Sequence, residues 1–429
     1  MLKHIHAEGL GPAKDISWDL GQRLSLVVGD NGLGKTLLLD LIWWILTGRA
    51  VGEPMQGNRG LVHEPSISWT HHEDPQQVFE AHLPAGKEPS DWIRTSTDRS
   101  DALGNVLIYA RSDGSYAVYD PVEASGRGAK GTVVLKPDEV WNGLGRGKSV
   151  KCRGLIEDWR AWQYEPDERP YFEAFQAVLT SLSEPGHRIE LSDITTTKEG
   201  DDRKIPSVKL PYGIVPISQL SAGMRRILSL AYLIVWSWRG HQLAKKRKQL
   251  DSIANLTLLI DEVELHLHPQ WQRAILPSLF EAVSDRTLPR GQLFGAANLG
   301  PQIIATTHAP LVLASIETRW DDDLDSLLRY ELNDQRQVVV HEGEVRKEGD
   351  ANDWLTSEVF GLGEARSREA EAALTKAEGL MEGAAGMDET FLAEQVRALH
   401  VELKRVLPND DPFWTRWIGT YRFLDRRGA

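Results

Sequence analysis

The 429-residue chain has one cysteine, Cys152. One thiol cannot close an intramolecular disulfide or build a cysteine-based zinc site, so a reducing cytosol is the expected setting. Long apolar runs are also missing. The densest, from Ile227 to Trp238, contains two serines and falls short of the roughly 20 residues needed to cross a bilayer. The start, MLKHIHAEGLG, has no apolar signal-peptide region. Excess positive charge is absent too. The net charge of −13 excludes a wholly basic, nucleic-acid-coating surface, although it leaves room for a local basic groove. Neither a repeat of 20–50 residues nor a sustained heptad pattern is present, which excludes a solenoid and a long coiled coil.

What is present fits a soluble α/β protein, with 41% hydrophobic and 26% charged residues, long enough for two or three domains. Leu24–Val28 is an apolar β run. It leads into Gly29-Asp30-Asn31-Gly32-Leu33-Gly34-Lys35-Thr36, and the apolar stretch LLLDLIWWILT then has helical length and stops at Gly48. Strand, glycine loop and helix in that order, with G-x-x-x-x-G-K-[ST], form a phosphate-binding loop. Backbone N–H groups around Asn31, Gly32 and Gly34 would close on phosphates at a helix N-terminus, where the peptide dipoles add positive charge. Lys35 would reach the β/γ-phosphates of ATP, and the Thr36 hydroxyl would bind Mg²⁺. The plain alternative is a glycine turn before a helix, but that would not require the lysine and threonine.

A second apolar strand, Leu256–Ile260, runs directly into Asp261-Glu262. Asp261 would hold Mg²⁺ through water, and Glu262 would orient and deprotonate an attacking water. A third, Ile303–Thr306, leads to His308 at a strand's carboxyl edge, where an imidazole can meet a γ-phosphate.

Together these segments resemble the ABC-type ATPase superfamily. In that resemblance Leu220-Ser221-Ala222-Gly223-Met224 corresponds to the family's LSGGQ signature, with Ala for the first Gly and Met for Gln. The resemblance implies that Ser221, Ala222, Gly223 and the helix start complete the ATP site of a second subunit. Met224 departs from the pattern and puts a glutamine-specific contact in doubt. Arg225 and Arg226 add charge at that end, and Ile227–Trp236 would be the buried helix body. The family also implies a glutamine-bearing loop, for which Gln76, Gln77 and Gln163 are candidates. The run from Asp261 to Pro269, DEVELHLHP, resembles a narrower group of standalone bacterial ATPases without a membrane domain. These are the AAA/OLD-like ATPases and the ATPase subunit of Septu-type antiphage systems. WLTSEVFGLGEARSREAEAALTKAE, from Trp354 onward, is similar to the Septu-type ATPase as well.

The resemblance implies an ABC-type head over residues 1–316: a RecA-like core, an antiparallel β lobe over 66–120 and a helical insertion over 153–190. A mixed strand and helical appendage would follow over 317–429. It implies ATP and Mg²⁺ as cofactors. It also implies self-association as a homodimer or higher even oligomer, a separate nuclease effector subunit, possible contact with DNA, and no membrane partner. Two other classes share the motifs. One is a RecF/SMC-like repair ATPase that clamps DNA, which the missing coiled coil disfavours in its SMC form. The other is a transporter's nucleotide-binding subunit, for which the spacing from P-loop to signature is long.

Several features have plain readings. The Asp113-Gly114 pair marks a hairpin, and 197–206 is a polar connector. Asp321-Asp322-Asp323-Leu324-Asp325 follows a tryptophan in a polar turn and lacks the spacing of a nuclease metal site. His71-His72-Glu73-Asp74 is expected as a solvated strand end. Lys245–Lys248 is expected as an exposed helix end. Arg146, Lys148, Lys151 and Arg153 alternate with small residues and could touch a phosphate backbone.

Overall fold

The computed structural model describes residues 1–52, 64–84, 92–94, 105–124, 131–145, 151–183, 186, 188–198, 201–250, 255–284, 301–357, 359–362, 365–383 and 389–427. The chain begins β1 (Leu2–Glu8), β2 (Asp15–Asp19), β3 (Leu24–Gly29), α1 (Lys35–Thr47), β4 (Ser66–His71), β5 (Phe79–His82) and β6 (Ile93–Arg94). It continues with β7 (Val106–Ala110), β8 (Tyr116–Tyr119), α2 (Pro121–Ala124), β9 (Thr132–Leu135), α3 (Pro137–Asn142), α4 (Leu155–Tyr164) and α5 (Arg169–Leu182). Then come β10 (Glu190–Lys198), β11 (Asp201–Leu210), β12 (Gly213–Pro216), α6 (Ala222–Lys248), β13 (Leu256–Ile260), α7 (Pro269–Gln272) and α8 (Ile275–Ser284). The last elements are β14 (Gln302–Thr307), α9 (Pro310–Ile316), β15 (Asp325–Leu332), β16 (Val338–Gly343), α10 (Ala351–Thr356), α11 (Arg368–Gly383), α12 (Glu389–Val406) and α13 (Phe413–Arg427).

The chain divides into two compact units, Met1–Ala351 and Asn352–Ala429. In the first, an eight-stranded sheet runs β16-β15-β3-β14-β13-β7-β8-β9. Its five central strands, β15, β3, β14, β13 and β7, are mutually parallel. β13, β14 and β7 are buried along their whole length, as parallel strands covered on both faces should be. One face packs on α1 and on a second, antiparallel sheet through Trp43, Trp69, Leu259 and Ile304. That second sheet runs β2-β1-β4-β5-β6.

The strands described within residues 66–120, expected as one antiparallel lobe, are divided between these two sheets. β4, β5 and β6 stay with β1, but β7 pairs in parallel with β13 and enters the core. The reason is composition: Val-Leu-Ile-Tyr-Ala has no polar face and cannot border solvent, whereas β4 alternates buried and half-buried residues. The Asp113-Gly114 turn does join β7 to β8, with Gly114 at φ 81° and the Asp113 carboxylate accepting the Ser115 amide. The described residues of the connector expected at 197–206 belong instead to β10 and β11, which pair with each other and, with β12, form a three-stranded sheet. Ile205, Pro206, Ser207 and Val208 are all buried, on both faces of β11, and the flanking charges hid the strand pattern. α4 and α5 occupy most of the expected helical insertion.

The boundary expected near 317 lies later. β15 pairs in parallel with β3, and β16 pairs with β15, so both strands extend the central sheet. His71 is not at a solvated strand end; it is buried, and burial pushes its pKa down to about 4. In the second unit, α11, α12 and α13 share a small core that includes Leu374, Val396, Leu403 and Trp417. From the aromatic tail, Phe413 and Trp417 are buried in this core and Trp414 and Tyr421 pack against it, whereas Phe423 is exposed. Glu358, Gly363 and Glu364, within the stretch similar to Septu-type ATPases, lie outside the described residues, as do Arg146 and Lys148.

Candidate ATP-binding site

The carboxyl ends of β3, β13 and β14 lie side by side, and β14 is the strand between the other two. Ligands in open parallel sheets bind at that edge. The P-loop leaves β3 there. Gly34 caps α1 with φ 105°, and a Cβ on it would stand 2.8 Å from the Pro12 ring, so only glycine fits. Lys35 is buried. Its Nζ donates to the carbonyls of Gly29 at 2.6 Å and Asp30 at 2.7 Å, folded across its own loop. Burial lowers its pKa, against the pull of Asp261, Glu262, Glu264 and Asp30.

Thr36 and Asp261 come from distant parts of the sequence and meet directly. The Thr36 hydroxyl donates to Asp261 Oδ2 at 2.8 Å. Thr306 supplies the next link. Ile260 pairs with Ala305 across the parallel ladder, which sets Thr306 beside Asp261. The Thr306 hydroxyl donates to Asp261 Oδ1 at 2.8 Å and accepts the Glu262 amide at 2.8 Å. Glu262 has φ 50°, a left-handed backbone that costs about 1–3 kcal/mol in a non-glycine residue and persists only where its surroundings impose it. Thr306 holds its amide. Arg226 donates to the carbonyls of Asp261 at 2.9 Å and Glu262 at 3.1 Å.

His308 follows β14. Its Nδ1 lies 3.0 Å from Glu264 Oε1, and its pKa is raised, mainly by that hydrogen bond. Burial alone would push Glu264 up; the bonds from His308 and Thr307 outweigh it and hold the carboxylate below its ordinary range.

Ser221 is the exposed N-cap of α6, its hydroxyl accepting the Met224 amide at 3.4 Å. Ala222 is also exposed, whereas Gly223 is buried. Behind them Ile227–Val235 are all buried, and Trp236 is half-buried. At about 1.5–3 kcal/mol for each large apolar side chain removed from water, that anchor fixes where the helix starts. Ser229 accepts Trp141 Nε1 at 2.9 Å, and Ser237 donates to the Ile234 carbonyl at 3.0 Å, so the two serines are satisfied within the protein core. Among the described residues, no helix is long and apolar enough to cross a membrane. Arg225 lies 4.6 Å over the Trp141 ring.

Of the glutamine candidates, Gln163 is engaged by Asp193 at 2.6 Å, while Gln76 and Gln77 are exposed between β4 and β5. The residue that follows β7, next to the acidic pair, is Arg111; its guanidinium is 3.8 Å from Asp40 on α1. Three of the acids after Trp320 are engaged: Asp322 accepts Trp320 Nε1, Asp321 accepts the Asp323 amide, and Asp325 binds Arg23. Arg247 and Lys248 at the end of α6 contact Glu123 and the Val122 carbonyl. The bridging roles of Thr306, Arg226 and Thr307 had no sequence signal beyond polar residues at the ends of apolar elements.

A P-loop after β3, an acidic pair after β13 and a histidine after β14 thus meet at one edge of a parallel sheet, where a P-loop fold holds its nucleotide. Residues 163–314 match the family described as AAA domain, putative AbiEii toxin, Type IV TA system. Residues 4–98 match one described as AAA domain. The chain is similar to the Septu protein PtuA of Bacillus thuringiensis, with 20% identity over 343 residues, 77% of this chain and 78% of PtuA. Among solved structures it is similar to the SMC head domain from Thermotoga maritima, at 14% identity and a TM-score of 0.41, covering 80% of this chain and 99% of that one. A second likeness is to an Smc head bound to the C-winged helix domain of ScpA, at 14% identity and a TM-score of 0.42, covering 80% of this chain and 97% of that one. The chain therefore carries matches to AAA-domain families and resembles the Septu ATPase.

Proposed function

We propose that this chain binds and hydrolyses Mg²⁺·ATP in sites completed by a second copy, and serves as the ATPase subunit of an antiphage defence system. The observation that carries the reading is the convergence of Thr36 and Asp261 on one point at the carboxyl edge of the sheet. A hydroxyl and a carboxylate aimed at each other, with a lysine beside them, suit a hydrated Mg²⁺ and a triphosphate. Mg²⁺ would supply positive charge to the β- and γ-phosphate oxygens. Thr36 and Asp261 would hold it. Lys35 would exchange its two loop carbonyls for phosphate oxygens. Glu262 would take a proton from the attacking water, its backbone held by Thr306 and Arg226. His308 would donate to the γ-phosphate.

The exposed signature start supports a composite site, since Ser221 and Ala222 are open to a second molecule. The reading extends to a homodimer or higher even oligomer and to a separate nuclease effector. The engagement of Asp321, Asp322 and Asp325 within the protein and the likeness to PtuA support a partner as the source of any nuclease activity. DNA is a possible further ligand.

The test uses Glu262→Gln and Ser221→Arg. The first should bind ATP, hydrolyse it at least about a hundredfold more slowly and accumulate as an ATP-dependent dimer. The second should bind ATP and lose hydrolysis. No change in size with ATP in the first, together with normal turnover in the second, would rule out the composite site.

A further inference from the structure

Glu264 has no part in the chemistry described so far, yet its carboxylate is the most heavily bonded group beside the site. It is 5% exposed. Its Oε2 accepts the Thr307 hydroxyl at 2.7 Å, and its Oε1 accepts the His308 amide at 2.7 Å and faces His308 Nδ1 at 3.0 Å. A buried carboxylate is costly unless its oxygens are met by donors, and here both are. Two of the three donors belong to His308 itself, so one side chain fixes both the backbone and the ring of that residue.

We propose that Glu264 is a positioning residue for His308: it binds the imidazole at Nδ1, so that Nε2 is the nitrogen available to the γ-phosphate and carries a proton. The inference rests on the ATPase reading. With Nδ1–H donated to a carboxylate, the tautomer is set, and a second proton on Nε2 gives an imidazolium whose charge Glu264 balances. The charged groups facing the ring are Glu264, Glu262 and Lys35, two acids against one base. Thr307, beside the histidine, fills the other carboxylate oxygen and keeps Glu264 from turning away. A neutral histidine without this partner would also place an N–H at either nitrogen, but would not hold the ring in one orientation.

Glu264→Gln keeps the size of the side chain and removes its charge. ATP turnover by the full chain, measured from pH 6 to pH 9, separates positioning from general damage. The alkaline fall in kcat should move to lower pH by about one unit, with about tenfold loss at pH 8, much less at pH 6, and little change in KM. In a His308→Gln background, Glu264→Gln should add no further loss, because the residue acts through the histidine. The imidazole titration of His308 followed by NMR should also move to lower pH in Glu264→Gln. Equal loss at every pH, additive loss in the double variant, or an unmoved titration would each overturn the proposal. Wild type that hydrolyses no ATP would overturn the ATPase reading instead, and the NMR titration would still decide for or against Glu264 as the holder of the ring.

Discussion

A Cβ on Gly223 would stand 2.5 Å from the carbonyl oxygen of His266. The first turn of the signature helix therefore rests on the backbone of the loop that follows the acidic pair, in the same chain. That loop carries Glu264, and His266 itself adopts φ 62°. The signature, the acidic loop and His308 are thus linked by direct contact.

Gly223→Ala tests that contact. In an open helix the change would stabilise by roughly 0.8–1 kcal/mol, because alanine is the better helix former. Here the new methyl meets backbone, which cannot swing aside. We expect destabilisation of about 1–3 kcal/mol in urea unfolding, with reduced ATP turnover. A gain in stability would show that the loop yields freely.

Thr306→Val keeps shape and removes the hydroxyl that joins Asp261 to the Glu262 amide. Two polar groups lose their partner, at a cost of about 1–3 kcal/mol, and ATP turnover should fall. Thr257→Val is the matched control: Thr257 is fully buried and its hydroxyl has no hydrogen-bond partner. That change should be neutral or stabilising. Equal effects from the two substitutions would deny the bridge its role.

Asp158 predicts a pH dependence of stability. It lies under α6, where the Tyr232 hydroxyl donates to it at 2.8 Å, and burial pushes its pKa from 3.8 to about 6. Between those values the folded state holds a proton that the unfolded state has released. Its contribution to stability is therefore full below the unfolded value and declines as pH rises through about 6. The decline is on the order of 3 kcal/mol at most. Asp158→Asn should lack it, so the variant should gain on wild type in denaturant midpoints between pH 4 and pH 7. Parallel curves for the two proteins would place the pH dependence elsewhere.

The P-loop, the Asp261-Glu262 pair and His308 were legible in the sequence because each follows an apolar strand directly, and a strand's end projects its next residues at the sheet edge. The buried body of α6 was legible from apolar density, but the partners of its two serines, Trp141 and the Ile234 carbonyl, were not. The strands of the β10–β11 hairpin were not legible, since their polar residues hide the period of two. Nor was the place of β7: an apolar run reveals that it is buried, not which strand it lies beside.

By itself the sequence determined the chemistry available: which phosphate ligands, which acids and which histidine, and where the elements that carry them begin and end. Those are local properties, set by glycine dihedrals, apolar runs and helix starts. Only the tertiary structure decided that Thr36 meets Asp261, that Thr306 joins Asp261 to Glu262, that Glu264 takes His308, and that Gly223 rests on His266. Each of these depends on how the strands and the loops at their ends pack, which brings together residues 225 positions apart in the first pair and 43 in the last. Sequence spacing carries no direct record of such distances; the sheet sets them by burying five parallel strands side by side.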